Sequence, residues 1–92
     1  MKFSVQVDGN KITIQNVTDK PLKIKELRIT VETTIITPEE RFALRKISDE
    51  IKLERTLKPK ESIEIRSYYT NIVGVSIIYE ELGEVLREDH NL

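Results

Sequence analysis

The single histidine of this 92-residue chain, His90, has the clearest capacity for acid–base or metal chemistry. It follows Glu88 and Asp89 near the end of the sequence. A general base needs an orienting partner and a pocket, and a polar terminal segment supplies neither. We therefore expect residues 88–92 to form a frayed, solvated tail.

Nucleophilic chemistry is not indicated either. None of the serines lies in a nucleophile-elbow motif, and His90 is the only histidine that could activate one. The glycines Gly9, Gly74 and Gly83 are too scattered for a phosphate-binding loop. No catalytic residue is predicted, and we expect a protein that is not an enzyme and has no cofactor.

Carboxylates cluster at residues 39–40, at residues 80–81, and at Glu84 with residues 88–89. Such groups could bind a hard cation such as calcium, which takes several oxygen ligands. None of them matches an EF-hand, and charged hairpin tips that keep the chain in solution explain them better. No metal site is predicted.

Basic residues also group, within residues 20–28, 41–46 and 58–60. Together with Tyr68 and Tyr69 they could form a nucleic-acid surface, since aromatic stacking and phosphate contacts are how such surfaces work. However, glutamates interleave every basic group. Lysines on a solvated strand face, where they also discourage unwanted edge pairing, are the favoured interpretation.

The segment Arg66-Ser67-Tyr68-Tyr69-Thr70-Asn71 is the best candidate for a contact site. Tyrosine and arginine are common interface anchors. Adjacent tyrosines of an extended chain cannot both point inward, so at least one should lie near the surface. The predicted binding residues are Arg66, Tyr68 and Tyr69. The alternative is that one tyrosine packs at the core edge and bonds to the main chain.

Composition limits the remaining possibilities. Fifteen basic and sixteen acidic residues give a net charge of −1, so no overall field draws the chain to nucleic acid or to an anionic membrane. The absence of cysteine excludes disulfides and thiolate metal sites. Abundant Glu and Lys without cysteine is typical of hyperthermophile proteins and predicts a thermophilic source.

No apolar run approaches the ~20 residues of a membrane-spanning helix. The first eight residues alternate in polarity and do not resemble a signal peptide. The sequence therefore predicts a cytoplasmic protein, unless it is a trimmed piece of an exported chain.

Strands with a period of two are the elements that must position these residues. Phe3, Val5 and Val7 alternate with polar residues, and so do Ile12 and Ile14. Asp8-Gly9 between them is typical of a type I′ turn. A two-residue loop there pairs Val7 with Asn10, Val5 with Ile12 and Phe3 with Ile14, which places the apolar residues on one face.

A long strand is predicted after the turn at residues 18–21. Its apolar phase changes at Lys25-Glu26, which indicates a bulge or a bend between two sheets. Residues 38–47 are ambiguous. Thr37-Pro38-Glu39-Glu40 has the features of a helix start, whereas Phe42 and Leu44 alternate as in a strand. A short helix over residues 38–47 and a strand both remain open.

Further strands are predicted from the apolar alternation in the second half of the chain. They lie around residues 51–57 and 63–65, then at residues 72–79 and 85–86, with turns at residues 58–61 and 80–83. Seven strands without crossover helices predict an all-β fold. We expect a single antiparallel two-sheet sandwich that spans residues 1–92 as one domain.

Two stretches are similar to immunoglobulin-like β-sandwiches. Residues 16–22, Asn-Val-Thr-Asp-Lys-Pro-Leu, resemble the turn between the second and third strands of such domains. Residues 57–65 resemble their recurrent turn-then-strand segment, in which a glycine often stands at the position of Lys60. Residues 22–27 also resemble a strand of arrestin-like sandwiches, which are the second choice. These superfolds have many unrelated functions.

The leading functional hypothesis is a non-enzymatic protein-interaction or assembly module that acts through a sheet face or an edge strand. Its partner would be another protein or a second copy of the chain. A soluble domain of a cell-envelope or surface-structure protein is the first alternative. A small nucleic-acid-binding protein is the second. Asn16-Val17-Thr18 is also a glycosylation sequon, relevant only to an exported protein.

Overall fold

The fold is all-β, as predicted. The computed structural model describes residues 1–39 and 41–92. Its seven strands are β1 (Phe3–Asp8), β2 (Lys11–Asn16), β3 (Leu22–Ile36), β4 (Phe42–Leu57), β5 (Ser62–Arg66), β6 (Ile72–Glu81) and β7 (Glu84–Asn91). The described residues include no helix, and so none that could cross a membrane.

Two antiparallel sheets make up the molecule. Sheet A has the strand order β1-β2-β5, and sheet B has the order β4-β3-β6-β7. The inner faces of both sheets supply the core, which is the arrangement expected of a sandwich. The fully buried apolar side chains include Phe3, Ile12, Ile14, Leu22, Ile24, Leu27, Ile29, Leu57, Val75 and Ile77. Burial of each such side chain stabilises the fold by about 1.5–3 kcal/mol.

The register predicted for the first hairpin is wrong. The loop is Gly9-Asn10 rather than Asp8-Gly9, so Val7 pairs with Ile12 and Val5 pairs with Ile14. Gly9 has φ +62°, whereas Asn10 has no positive φ, which is the pattern of a type II′ turn. The observed partner of each residue lies two positions beyond the predicted one. Because this difference is an even number, the apolar side chains still share one face, as expected.

The predicted bulge in β3 is confirmed. The pairing of β3 with both neighbours shifts between Ile24 and Glu26. This shift lets Leu22 and Ile24 point inward together with Leu27 and Ile29, although the two pairs differ in phase. Glu54 of β4, which lies in the same irregular region, has φ +48°.

No helix forms at residues 38–39 or 41–47, so that alternative is wrong. Strand β4 begins at Phe42 and pairs in unbroken register with β3 from Ile36↔Phe42 to Glu26↔Lys52. Thr37 closes the hairpin: its N–H donates to the carbonyl of Arg41 over 2.8 Å. The Arg41 N–H donates to the Thr37 hydroxyl over 3.2 Å. Strand pairing satisfies the main chain here, which overrides a local capping signal.

Strand β6 lies inside sheet B, between β3 and β7. The hairpin from β6 to β7 turns at Leu82-Gly83, and both residues have positive φ, as a type I′ turn requires. Residues 88–91, however, are not a frayed tail. Strand β7 extends to Asn91, which pairs with Gly74.

Asn16 joins the two turns at one end of the sandwich, and it is fully buried. Its Nδ2 donates to the carbonyls of Lys20 over 2.7 Å and Leu57 over 3.1 Å. Its Oδ1 accepts hydrogen bonds from the N–H and the hydroxyl of Thr18. Because the amide nitrogen is enclosed and engaged, the folded chain does not offer Asn16 for glycosylation.

Candidate functional site

The tyrosine loop, residues 67–71, connects β5 in sheet A to β6 in sheet B. Ser67 is buried and fixes its start. The Ser67 N–H donates to the carbonyl of Asn10 over 2.8 Å. The Ser67 hydroxyl accepts the N–H of Tyr69 over 3.0 Å. These bonds hold the main chain under both tyrosine side chains.

The prediction that at least one tyrosine lies near the surface is confirmed. Tyr68 is 91% exposed and Tyr69 is 36% exposed. Their rings meet edge to face, with centroids 5.6 Å apart. No described residue receives or donates a hydrogen bond at either hydroxyl. The pair therefore presents aromatic surface and free hydroxyls to solvent.

The side chain of Arg66 contacts the turn of the first hairpin and its own strand, β5. Its guanidinium approaches Asn10 Oδ1 at 3.4 Å and Glu64 Oε1 at 3.5 Å. The ion pair with Glu64 is exposed on both sides, and such pairs contribute little to stability. The structure thus brings together two of the three predicted site residues, and it places Arg66 on the neighbouring strand.

A shallow groove of about 220 Å³ runs beside the tyrosine loop. One wall is formed by the loop itself. The other wall belongs to sheet B and includes Val31, Thr33 and Ile47. The Glu32 N–H donates to the carbonyl of Asn71 over 3.0 Å and ties the two walls together. The groove therefore combines aromatic, aliphatic and main-chain polar groups.

Next to this groove, β3 and β4 continue beyond the body of the sandwich as a two-stranded arm, residues 33–39 and 41–45. Pairing of β3 with β6 ends at Val31↔Ile72, whereas pairing with β4 continues to Ile36↔Phe42. The molecule is accordingly elongated, with extents of 53 × 25 × 20 Å.

The outer face of the arm exposes three large apolar side chains. Ile36 is 70% exposed, Phe42 is 78% exposed and Leu44 is 71% exposed. Ile36 and Phe42 are direct cross-strand partners, and Leu44 is two residues further along β4 on the same face. Sequence reasoning missed this cluster. The sequence carried one sign of this cluster: Ile36 has the opposite strand alternation to Val31 and Ile29, which are core residues of the same strand.

The prediction that Glu88 and His90 belong to a frayed, solvated tail is wrong. They lie on the inner face of β7, where their side chains are 10% and 11% exposed. The Glu88 carboxylate accepts the N–H of Lys2 over 2.6 Å and the N–H of Phe3 over 3.1 Å. His90 Nε2 lies 2.6 Å from Glu88 Oε2. The two main-chain hydrogen bonds to Glu88 close one edge of the sandwich by joining β7 to the start of β1.

Tyr79 adjoins the Glu88 contact and stacks edge to face on Phe3, with ring centroids 5.1 Å apart. Burial raises the pKa of the Tyr79 hydroxyl above its usual value, and the nearby Glu88 charge adds to this effect. Both Glu88 oxygens are already engaged by the N–H groups of Lys2 and Phe3, so the arrangement is a structural joint rather than a free acid–base pair.

The other polar clusters are surface networks. Ser76 Oγ donates to Asp89 Oδ1 over 2.6 Å, and Arg87 Nε donates to the same oxygen over 2.8 Å. These two hydrogen bonds lower the pKa of Asp89, with Ser76 the larger cause. Within residues 1–39 and 41–92, no group of three or more acidic or histidine side chains is arranged to hold a metal ion.

Many of the grouped basic residues have a carboxylate at hand. Lys23 Nζ lies 3.1 Å from Glu54 Oε2, and its hydrogen bond lowers the pKa of Glu54. Lys25 lies 3.9 Å from Glu80. Such pairing reduces the positive potential that binding to a phosphate backbone requires.

Comparison with known proteins adds no assignment to this geometry. The chain matches no family model, and no curated protein sequence has significant similarity to it.

Proposed function

We propose that this chain is a non-enzymatic protein-interaction module that binds its partner through the arm and the adjacent tyrosine groove. The observation that carries the proposal is the exposed apolar cluster Ile36, Phe42 and Leu44 on a strand pair that projects from the body. Large apolar side chains gathered on one exposed face are typical of surfaces that another protein covers.

The position of the tyrosine loop supports the same proposal. Tyr68 projects almost fully into solvent beside the base of the arm, across a groove lined by Val31 and Ile47. Tyrosine contributes a large contact area and loses little conformational freedom on binding, which makes it a frequent interface anchor. The arm and the loop would thus offer one partner two contact areas.

An immunoglobulin-like fold is part of this proposal. Strands β1, β2 and β5 oppose β3, β6 and β7, as the corresponding strands of such domains do. Strand β4 departs from the constant-type pattern, because it pairs with β3 instead of joining the sheet of β1, β2 and β5. The two turns that carry the resemblance also lie together, since the Lys60 N–H donates to the Asn16 carbonyl over 2.8 Å. Lys60 has φ +67°, which suits the glycine often found there.

The proposed module can be tested with immobilised protein and lysate of the source organism. We expect wild-type protein to retain a defined partner that the double variant Phe42→Ser/Leu44→Ser does not retain. The matched control is Val85→Ser/Leu86→Ser, which removes apolar side chains of the same kind from β7, at the opposite edge of sheet B.

Tyr68→Ala tests the groove separately, because the Tyr68 side chain is too exposed to support the core. We expect it to weaken retention and to leave the unfolding midpoint unchanged. Equal retention of the same proteins by wild-type, arm and Tyr68 variants would contradict the proposed function.

A further inference from the structure

We propose that the partner of the arm is a second copy of this chain, which adds its β4 antiparallel to β4 and joins the two B sheets into one. This inference rests on the proposed function and makes its partner specific. It comes from the free edge of β4 and from the order of charges along that strand.

Strand β4 is an edge strand with an unusually long free side. Its other side pairs with β3, and no strand of the described chain covers the free one. The register is continuous from Phe42 to Lys52, and the positive φ of Glu54 ends the regular stretch. A long, regular free edge is a template for the addition of another strand.

The main-chain groups available on that edge can be assigned. The Thr37 N–H donates to the Arg41 carbonyl, so odd-numbered residues of regular β4 point their N–H and C=O groups toward β3. The bond from the Glu32 N–H to Asn71 on the other side of β3 agrees with this alternation. Even-numbered residues, such as Lys46 and Ser48, therefore offer free N–H and C=O groups.

The charges along this edge make it self-complementary. Arg41, Arg45 and Lys46 precede Ile47 along this edge, and Asp49 and Glu50 follow it directly, ahead of the mixed charges Lys52, Glu54 and Arg55. Within residues 1–39 and 41–92, neither Arg45 nor Asp49 has an ion-pair partner. Antiparallel pairing of two copies can place Arg45 of each strand opposite Asp49 of the other, with Lys46 diagonal to Glu50.

The register can be narrowed further. A two-fold axis perpendicular to the sheet requires one residue to face its own copy. With Ile47 at the axis, Arg45 lies opposite Asp49 of the second copy, twice by symmetry, and Ile47 packs on its counterpart. With Lys46 at the axis, two lysines would oppose each other, which is destabilising. With Ser48 at the axis, Lys46 would face Glu50 of the second copy, but Glu50 already lies 3.8 Å from Arg28. Arg45 and Asp49 have no such partner among the described residues, so the geometry favours Ile47.

Ile47 also connects the β4–β4 interface to the tyrosine groove, because it lines that groove in each copy. The same two-fold axis keeps the inner faces of both sheets on one side. Both tyrosine loops would then flank the interface between the two β4 strands on that side. The dimer would cover the groove from the second copy and would form one eight-stranded sheet from two four-stranded sheets.

The test measures the mass of purified full-length chain in solution over a range of concentrations, by sedimentation equilibrium. Wild-type protein should shift from the 10.7 kDa monomer toward twice that mass. Arg45→Glu opposes two acidic groups at each contact, and Asp49→Arg opposes two basic groups. Each variant alone should dimerise about ten to a hundred times more weakly.

An equimolar mixture of Arg45→Glu and Asp49→Arg provides the decisive result. In a mixed dimer the two substituted side chains, one acidic and one basic, face each other at one contact. The unsubstituted Arg45 and Asp49 face each other at the other contact, so the mixture should recover wild-type association. Misfolding of either variant cannot produce that recovery. Lys20→Glu, which reverses an exposed charge in the turn before β3, is the matched control and should dimerise as wild type does.

Three results would overturn the inference: a wild-type chain that stays monomeric at millimolar concentration, single variants that dimerise normally, or a mixture that fails to recover. A monomeric chain that still retains a foreign protein through the arm would overturn only the second copy as partner. The proposed function would stand in that case, because its own test uses lysate and outer-face variants.

Discussion

Replacement of Glu88 is the sharpest test of how the two sheets are joined. Its carboxylate accepts the main-chain N–H groups of Lys2 and Phe3 and contacts His90, while only 10% of the side chain is exposed. Hydrogen bonds to charged groups contribute about 1.5–3 kcal/mol each. Glu88→Ala removes both acceptors and should lower the free energy of unfolding by about 3 kcal/mol or more.

The size of this effect makes it easy to measure. For a domain of 60–100 residues, about 1 kcal/mol corresponds to a change in Tm of roughly 4–8 °C. Glu88→Ala should therefore lower Tm by roughly 12–24 °C in a calorimetric or circular dichroism melt. Glu88→Gln retains one acceptor oxygen but turns an NH2 donor toward the other main-chain N–H, so it too should lower the free energy of unfolding by about 3 kcal/mol.

Glu84→Ala is the matched control, because Glu84 lies on the same strand but is exposed. It should change the free energy of unfolding by no more than about 0.5 kcal/mol. If Glu88→Ala costs less than about 1 kcal/mol, water must satisfy the N–H groups of β1, and the description of Glu88 as a joint between the sheets is refuted.

Three further substitutions test the turns and the core. Asn16→Asp replaces the buried donor to the carbonyls of Lys20 and Leu57 with an acceptor, and it should lower the free energy of unfolding by about 3 kcal/mol in urea titrations; a loss below about 1 kcal/mol would contradict the geometry. Leu82→Asn places a residue suited to φ +51° at a site that is 90% exposed, and it should stabilise the hairpin by about 0.5–1 kcal/mol; a lower Tm would be the contrary result. Tyr79 has a raised pKa, so its contribution is complete below pH 10.0 and is lost as the pH rises through the higher folded-state pKa; Tyr79→Phe should therefore lose less stability than wild type as the pH is raised above 10.0, whereas parallel losses would argue against the shift.

The apolar alternation was sufficient to predict seven strands and the residues of the core. Leu22, Ile24, Leu27 and Ile29 were assigned to two phases separated at Lys25-Glu26, and the register of β3 shifts there. This inference works because burial of one sheet face requires a period of two along the chain. When the alternation changes phase but the same face stays buried, the strand must contain one extra residue, which is a β-bulge.

Turn chemistry was a weaker guide than phase. Asp8-Gly9 and Gly9-Asn10 are both acceptable hairpin loops, and both keep the same side chains inward. The choice between them depends on the pairing of all six residues in each strand, so the local dipeptide could not decide it. For the same reason the capping signal at Thr37-Pro38 did not reveal that residues 42–47 pair with β3.

The candidate site likewise combines features that local sequence predicts with features that depend on the packing of distant residues. Exposure of a tyrosine at residues 68–69 followed from the alternation of an extended chain. The groove beside it did not, because its second wall comes from Val31 and Ile47, which are distant in sequence. The apolar face of the arm was equally hidden, since it depends on where β6 stops pairing with β3.

The sequence by itself determined the all-β class, the positions of most strands and the apolar residues they bury, because these follow from local alternation and composition. Only the tertiary structure decided the length of the arm, the free edge of β4 and the ordered end of β7. Each of these depends on which strands lie side by side. The carboxylate of Glu88, for example, became a structural contact only when β7 met the first residues of β1.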